Sequence, residues 1–368
     1  MAAEKRLRIG VIGCGEIAYT ATGPAIRQTP NAEMAIAMDV VPAAAESFGR
    51  EFGIPWTTRL EEVLERPDVE AVVISTPHDT HAPLTVAAAR AGKHVMVEKP
   101  IACTLREADR MIACCREANV HLSVNFVLRY EPGPDAVRRL IAAGAIGDLI
   151  AVSFRSVGRK PDHYWTGGYT NRVQTDWRKY RARAGGGVLI MNFIHNLDLL
   201  RFMTGLEVAR VFAEYGTFRT PVEVEDIVTM TLRFNNGAVG ALVGATCVDG
   251  HIRLAPVSLG GGRAEGLVET VEDNSDRLYG TRGQIRLQGR NVWVYSHEGG
   301  EGLVRNEWTR LTLPAVNSRA RYVEAFARAV REKRPPEIPG EEGRKALAIV
   351  EAAYRSGREG HPVEISSL

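Results

Sequence analysis

The run Leu7–Ile12 ends in Gly13-Cys14-Gly15 and passes straight into a helical pattern over Glu16–Gln28, so the chain turns from strand to helix within three residues. Glycine supplies turns in many settings, so the cluster takes its meaning from its flanks. Short apolar runs then alternate with helical patterns. Strands are expected at Glu33–Met38, Ala71–Ser75, His94–Val97 and His121–Asn125, and helices from Pro42, over Ala82–Ala91 and over Leu105–Ala118. That alternation is the signature of βαβ units and a parallel sheet. Ala71–Ser75 is apolar without a break until its last residue, as a strand covered on both faces must be.

In this setting the glycines acquire a purpose. The spacing is Gly13-x-Gly15-x-x-Ala18: Gly13 permits the tight turn, Gly15 lets backbone approach a pyrophosphate, and small Ala18 lets helix and strand pack closely. The helix N-terminus, with Glu16 and Ile17, offers free N–H groups and a positive dipole end to phosphates. Asp39 ends the second strand, where an acid accepts hydrogen bonds from the adenosine ribose. Val40-Val41-Pro42 follows it and brings no cation to neutralise a 2′-phosphate, so NAD is expected in preference to NADP. The first part of the chain, residues 1–127, reads as a Rossmann dinucleotide-binding domain.

After about Tyr130 the pattern changes. Pro132-Gly133-Pro134 punctuates a boundary, a short helix runs through Ala143, and Leu149–Val157 reads as a strand. An irregular, aromatic-rich stretch over 160–183 precedes Gly185-Gly186-Gly187 and a long helix, Val188–Thr204. From Val208 to about Leu313 alternating runs indicate a large, mainly antiparallel sheet, with Asn235-Asn236-Gly237 at a hairpin. The glycine-rich 259–266 run reads as a loop without the strand–helix context of a phosphate site. Two helices, near Tyr322–Arg331 and Glu342–Arg355, close an α/β domain spanning 128–368, the expected substrate-binding and oligomerisation unit.

Composition removes several classes of function. Lys and Arg number 46 against 44 Asp and Glu, for a net charge of +2, so no strong field draws nucleic acid or membrane surface. No apolar run is long enough to span a bilayer, and no signal-type segment opens the chain, so a cytoplasmic protein is expected. The five cysteines show no paired metal-ligand spacing; no metal is expected, and the thiols read as reduced.

Beyond the glycines, three segments bear chemistry. Thr76-Pro77-His78-Asp79-Thr80-His81 leaves the third strand at the sheet edge where ligands bind; Thr76 and Pro77 are expected to line the cofactor, with His81 fixing the loop beside it and Asp79 or Thr80 capping the next helix. Glu98-Lys99-Pro100 follows the fourth strand, and a charged pair at a strand end is costly unless it is used or matched. On the Val188–Thr204 helix, residues three and four apart share a face, so Met191, Asn192, His195 and Asp198 form a cleft-facing stripe beside the core stripe Phe193, Leu197 and Leu200. Asn125 and Arg129 leave the fifth strand toward the cleft, for substrate contact or for packing at the domain hinge, and Tyr164, Trp165 and Arg178 sit in the irregular stretch that roofs it, where aromatics stack on sugar faces or anchor loops.

The chain resembles the Gfo/Idh/MocA family, named for glucose–fructose oxidoreductase, inositol dehydrogenase and a rhizopine-catabolism protein. The resemblance rests on G-V-I-G-C-G-E-I-A at 10–18, T-P-x-x-x-H at 76–81, A-G-K-H-V-M-V-E-K-P at 91–100, and D-W-R at 176–178 followed by G-G-G-V-L-I-M-N-F-I-H-N-L-D at 185–198. It implies NAD(P)-dependent oxidation or reduction at a secondary alcohol or ketone of a sugar, sugar derivative or cyclitol, with Lys99 and His195 as the proton-handling pair. It also implies an open sheet that often packs between subunits; a broad antiparallel sheet needs covering, so a homodimer or homotetramer is expected. Many members carry an aspartate four residues before the histidine, where this chain has Met191; methionine accepts no useful hydrogen bond, and Asn192 is the neutral substitute at hand. On these residues substrate contacts fall to Lys99, Asn125, Arg129, Tyr164, Trp165, Arg178, Asn192 and His195. Two other readings are a glycoside lyase or hydrolase that oxidises its substrate transiently, and a cofactor-binding regulator without catalysis.

Overall fold

The computed structural model describes residues 5–249, 251–253, 270–272 and 275–368; the 259–266 run lies outside them. The first sheet has six parallel strands, β1 (Leu7–Ile12), β2 (Ala32–Met38), β3 (Trp56–Thr57), β4 (Ala71–Ile74), β5 (His94–Val97) and β6 (Leu122–Val124), in the order β3-β2-β1-β4-β5-β6. Every residue of β4 is buried and all but one of β1, as a sheet covered on both faces demands. The order reverses between β1 and β4, and in such sheets ligands bind outside the carboxyl ends of the strands at that switch point. The expected chemistry lies on those ends: the glycine turn follows β1, Asp39 β2, Thr76 β4, Glu98 and Lys99 β5, and Asn125 β6. The short strand β3 and the helix Leu60–Leu64 carry too few residues to show a period and were not foreseen.

The second domain is built on a nine-stranded sheet of β7 (Leu149–Val157), β8 (Val208–Gly216), β9 (Ile227–Phe234), β10 (Val239–Ala245), β13 (Asp276–Gly280), β14 (Gly283–Gln288), β15 (Asn291–Ser296), β16 (Trp308–Leu311) and β17 (Val363–Glu364). β11 (His251–Arg253) and β12 (Thr270–Glu272) form a separate ribbon. The sheet is antiparallel except where β7 and β10 run parallel. The β9–β10 hairpin turns at Asn235-Asn236-Gly237, where Gly237 takes a φ of 88°. Helices Pro132–Ala142, Ile194–Thr204 and Gly340–Glu359 cover one face; on the other, Ile150, Val239 and Val243 stay exposed.

The chain then returns to its beginning. Helix Ser318–Glu332 packs on Gly23–Gln28 and β2, and Gly340–Glu359 packs on Leu105–Glu117 and β6. Between them, the Val124 N–H donates to the Ile338 carbonyl at 3.0 Å. The last two helices thus hold the sheets in a fixed relation.

Two buried ionic groups lock the helix that carries His195. Glu225, 1% exposed, accepts from the N–H groups of Gly187 (2.9 Å) and Leu189 (3.1 Å) and from the Tyr354 hydroxyl (2.7 Å), so a carboxylate satisfies donors at the helix start. The approach is close enough that a Cβ on Gly187 would fall 1.8 Å from the Glu225 carbonyl oxygen. Further along, the Arg129 guanidinium grips both Asp198 oxygens at 2.9 and 2.5 Å and reaches Glu342 at 2.8 Å. Arg129 and Asp198 are 9% and 1% exposed at their side chains, so neither fits its expected place: Arg129 does not open to the cleft and Asp198 does not share a face with His195 in it.

Removing either group leaves buried partners unpaired. Glu225→Ala strands two backbone donors and a phenol, and is expected to cost about 3 kcal/mol or more and lower Tm by several degrees. Arg129→Ala uncovers Asp198, at about 3–5 kcal/mol, while folded protein keeps its substrate KM. Thermal melts with steady-state kinetics check both. A large KM rise in Arg129→Ala at unchanged Tm would restore a substrate role.

Candidate active site

Gly13 adopts a φ of 90°, and a Cβ there would lie 2.7 Å from the Ser75 carbonyl oxygen, so the turn admits only glycine. At Gly15, by contrast, an added Cβ would meet nothing within 4 Å: its bareness keeps space open above the loop. Asp39 is fixed by the N–H groups of Cys14 (2.8 Å) and Val41 (2.9 Å), one on each carboxylate oxygen. Ala18 is fully buried in the helix 16–28, which contains a π-turn at Ala18–Thr22 just before Gly23-Pro24. Ile17 is half-exposed at its start, and Glu16 accepts from the Tyr169 N–H at 2.8 Å.

The loop after β4 is structural in its histidines. The ring nitrogens of His81, fully buried, lie 2.8 and 3.0 Å from the carbonyls of Pro100 and Thr76, tying the β4 loop to the β5 loop. His78 meets the Ala184 carbonyl at 2.8 Å and packs on Trp177, joining the two domains. Neither Asp79 nor Thr80 caps the following helix; Thr80 bonds Thr76 and Pro77, and Asp79 pairs with Arg183. Local turn bonding and a distant arginine outcompete the helix end.

Glu98, 7% exposed, accepts from Asn125 Nδ2 and from Arg319 at 2.7 Å, so its charge is matched. Lys99 crosses the cleft: its Nζ donates to the Met191 carbonyl at 2.6 Å. Burial drags the Lys99 ammonium down to about 8; Glu98 opposes the fall, and the cations Arg178, Lys160 and Arg319 deepen it. Burial likewise holds His195 well below its usual value, helped by Lys99 and Arg319, so the imidazole is neutral near pH 7. His195 Nδ1 and Asn125 Oδ1 are both buried without a hydrogen-bond partner among the described residues.

The helix 188–204 opens with a π-turn, Leu189–Phe193, which breaks the expected stripe. Met191 turns into the core at 2% exposure and contributes its carbonyl, while Asn192 and His195 remain half-buried. In the roof, Tyr164 and Trp165 are buried edge-to-face at 5.4 Å, and Arg178 lies over Tyr164 at 5.0 Å. Sequence reasoning missed Arg319, Arg172 and Lys160. Arg172 bonds the Cys14 carbonyl at 3.3 Å, stacks on Tyr19 at 3.5 Å, and has a buried Nη2 without a partner among the described residues. None of the three lies in a readable motif, since each earns its place by folding across from the second domain.

These observations fit a dinucleotide: a glycine-only turn, open space above Gly15, an oriented acid at Asp39, and, at Asn125, Arg172 and His195, buried polar atoms without partners among the described residues. Among the described residues no His, Cys, Asp or Glu cluster is arranged to hold a metal, and no helix is long and apolar enough to cross a membrane.

Comparison with known proteins agrees. Residues 7–126 match the oxidoreductase family with an NAD-binding Rossmann fold, and residues 135–286 match the GFO/IDH/MocA C-terminal domain. The chain is 31% identical to a 1,5-anhydro-D-fructose reductase of Ensifer adhaerens over 98% of this chain and 99% of that one. It is 26% identical to an NAD(+) scyllo-inositol 2-dehydrogenase of Bacillus subtilis strain 168, covering 98% and 97%. The crystal structure of an aldose–aldose oxidoreductase from Caulobacter crescentus superposes with a TM-score of 0.82 at 26% identity, covering 98% of this chain and all of that one. With its two domain types, site motifs and full-length relatives in agreement, the chain belongs to the Gfo/Idh/MocA family of oxidoreductases.

Proposed function

We propose that this oxidoreductase moves hydride between NAD and a secondary alcohol or ketone of a sugar, sugar derivative or cyclitol, with Lys99 and His195 handling the proton. The observation that carries the reading is the enclosed pair itself: a lysine brought to about 8 beside a neutral histidine, at the sheet edge that bears the glycine turn. The bound nicotinamide supplies the hydride acceptor or donor. In the oxidative direction, the neutral Lys99 amine takes the proton of the substrate hydroxyl, and the Met191 carbonyl steadies the resulting ammonium. His195, neutral and with a free buried nitrogen, orients that hydroxyl without adding a charge. Glu98 keeps Lys99 from falling further, and Arg319 and Asn125 hold Glu98 in place.

What supports NAD over NADP is a fixed acid, Asp39, at the end of β2, where such folds meet the adenosine ribose, followed by the exposed aliphatics Val40 and Val41 with no cation for a 2′-phosphate. The bare Ile150, Val239 and Val243 on the open sheet support a homodimer or homotetramer.

The first test offers cyclitols, free sugars, sugar acids and glycosides with NAD, following NADH and bond cleavage together. Accumulating NADH is expected; cleavage without NADH would replace the reading with transient oxidation. Lys99→Met is expected to lower kcat by about 10²–10⁴-fold at nearly unchanged NADH affinity, and retained turnover would remove Lys99 from the mechanism. The pH profile has a defined sign. Oxidation needs the neutral amine, so kcat/KM should rise through about pH 8 and level off, while reduction needs the ammonium and should fall over the same interval. A flat profile in both directions would refute Lys99 as the titrating group.

A further inference from the structure

Beside the roof of the site lies a cavity of about 270 Å³ whose walls carry Arg159, Lys160, Lys179 and Arg219. Trp165 also lines it, and buried Thr246 contributes a hydroxyl-bearing wall. The four cations come from three separate parts of the fold. Arg159 and Lys160 follow β7, Lys179 ends the short turn Trp177–Lys179, and Arg219 stands in the loop after β8. Backbone bonds hold this convergence: the Lys160 N–H donates to the Thr246 carbonyl at 2.8 Å, and Arg219 Nη1 to the Cys247 carbonyl at 3.2 Å. Among the described residues the only acid in the lining is Asp162, whose side chain is 98% exposed and 3.9 Å from Arg159, too solvated to neutralise the group. Like charges gathered around one concavity raise its potential and draw anions.

The cavity adjoins the reaction centre. Lys160 lies over the rings of Tyr164 and Tyr169, at 5.5 and 5.1 Å, and donates to the Tyr169 hydroxyl. Arg178, the neighbour of Lys179 in the chain, lies over the same Tyr164 ring at 5.0 Å. Lys160 and Arg178 thus share the Tyr164 ring, and both lie close enough to Lys99 to lower its ammonium.

We propose that the substrate carries an oxyanion, a phosphate or a carboxylate, that seats in the Arg159–Lys160–Lys179–Arg219 cavity while its reacting carbon lies at Lys99. This rests on the oxidoreductase reading for the reacting carbon, but not for the anion site. The volume suits a phosphate or carboxylate with a few carbon atoms, below the roughly 300–1,000 Å³ of sites that enclose a whole drug-sized ligand. A sugar phosphate and a sugar acid share the recognising chemistry.

The test titrates the NAD-loaded protein calorimetrically with inorganic phosphate, then with glucose, glucose 6-phosphate and glucuronate, at low salt. Phosphate is expected to bind, to weaken at least about tenfold in the Lys179→Gln/Arg219→Gln double variant, and to fade with added salt. Whether glucose 6-phosphate or glucuronate binds more tightly than glucose identifies phosphate or carboxylate as the natural group. Circular dichroism of the double variant checks that it folds; the Arg219 side is exposed, so the substitution leaves the core intact. The proposal is overturned if neither phosphate nor the charged sugars bind more tightly than glucose, or if the double variant binds phosphate as the parent does. A neutral sugar oxidised with NAD alongside such a result would leave the oxidoreductase reading standing and remove only the anion site.

Discussion

The ammonium of Lys99 reaches the Met191 carbonyl at 2.6 Å, and through that bond the edge of the parallel sheet meets the first turn of a helix from the second domain. Each end of the bond has its own support. On one side Glu98 sits beside Lys99 and is itself held by Arg319 and Asn125; on the other, Glu225 and Tyr354 fix the start of the helix. Desolvating a lysine is costly unless its surroundings are arranged to hold it. Here the cost appears as a lowered pKa, which is what a proton carrier near neutral pH requires. The same enclosure that strains the ammonium makes it chemically useful.

Much of the fold was legible because its signals are local. β1, β5 and β7 are bounded by the residues the apolar runs indicated, and the helices 16–28 and 188–204 begin and end where expected. A parallel strand is apolar throughout and a glycine turn is compulsory at φ 90°, so neither depends on distant sequence. The cleft was less legible. Arg129 leaves a strand at the ligand edge, where substrate contact and hinge packing read alike, and its charge is engaged by Asp198 and by Glu342, 213 residues away. Arg319 pairs with Glu98 across 221 residues, a distance at which neither motif nor period carries information. Helical periodicity failed for a different reason: the stripe of Met191, Asn192, His195 and Asp198 assumes 3.6 residues per turn, and a π-turn inserts extra chain inside it.

Both helices that face the cofactor cleft contain such a turn near their start, Ala18–Thr22 and Leu189–Phe193. A π-turn rotates every residue after it relative to a regular helix, at some loss of hydrogen-bond quality. In the second helix the rotation sends the side chain of Met191 inward while its carbonyl meets Lys99, and leaves His195 at the cleft. The irregularity and the site coincide because the site needs that rotation.

Met191 itself then looks less like a lost function than a changed electrostatic balance. Its side chain packs into the core, and its carbonyl gives the Lys99 ammonium a partner without a full negative charge. The cations that reach Lys99, namely Arg178, Lys160 and Arg319, outnumber the carboxylates close by, Glu98, which Arg319 already engages, and Glu16, which the Tyr169 N–H holds. A neutral sugar gains nothing from that excess, whereas an anionic one offsets it. The cations around Lys99 and the cationic cavity beside Tyr164 are therefore two parts of one charge distribution, and they bias the site toward the same kind of molecule.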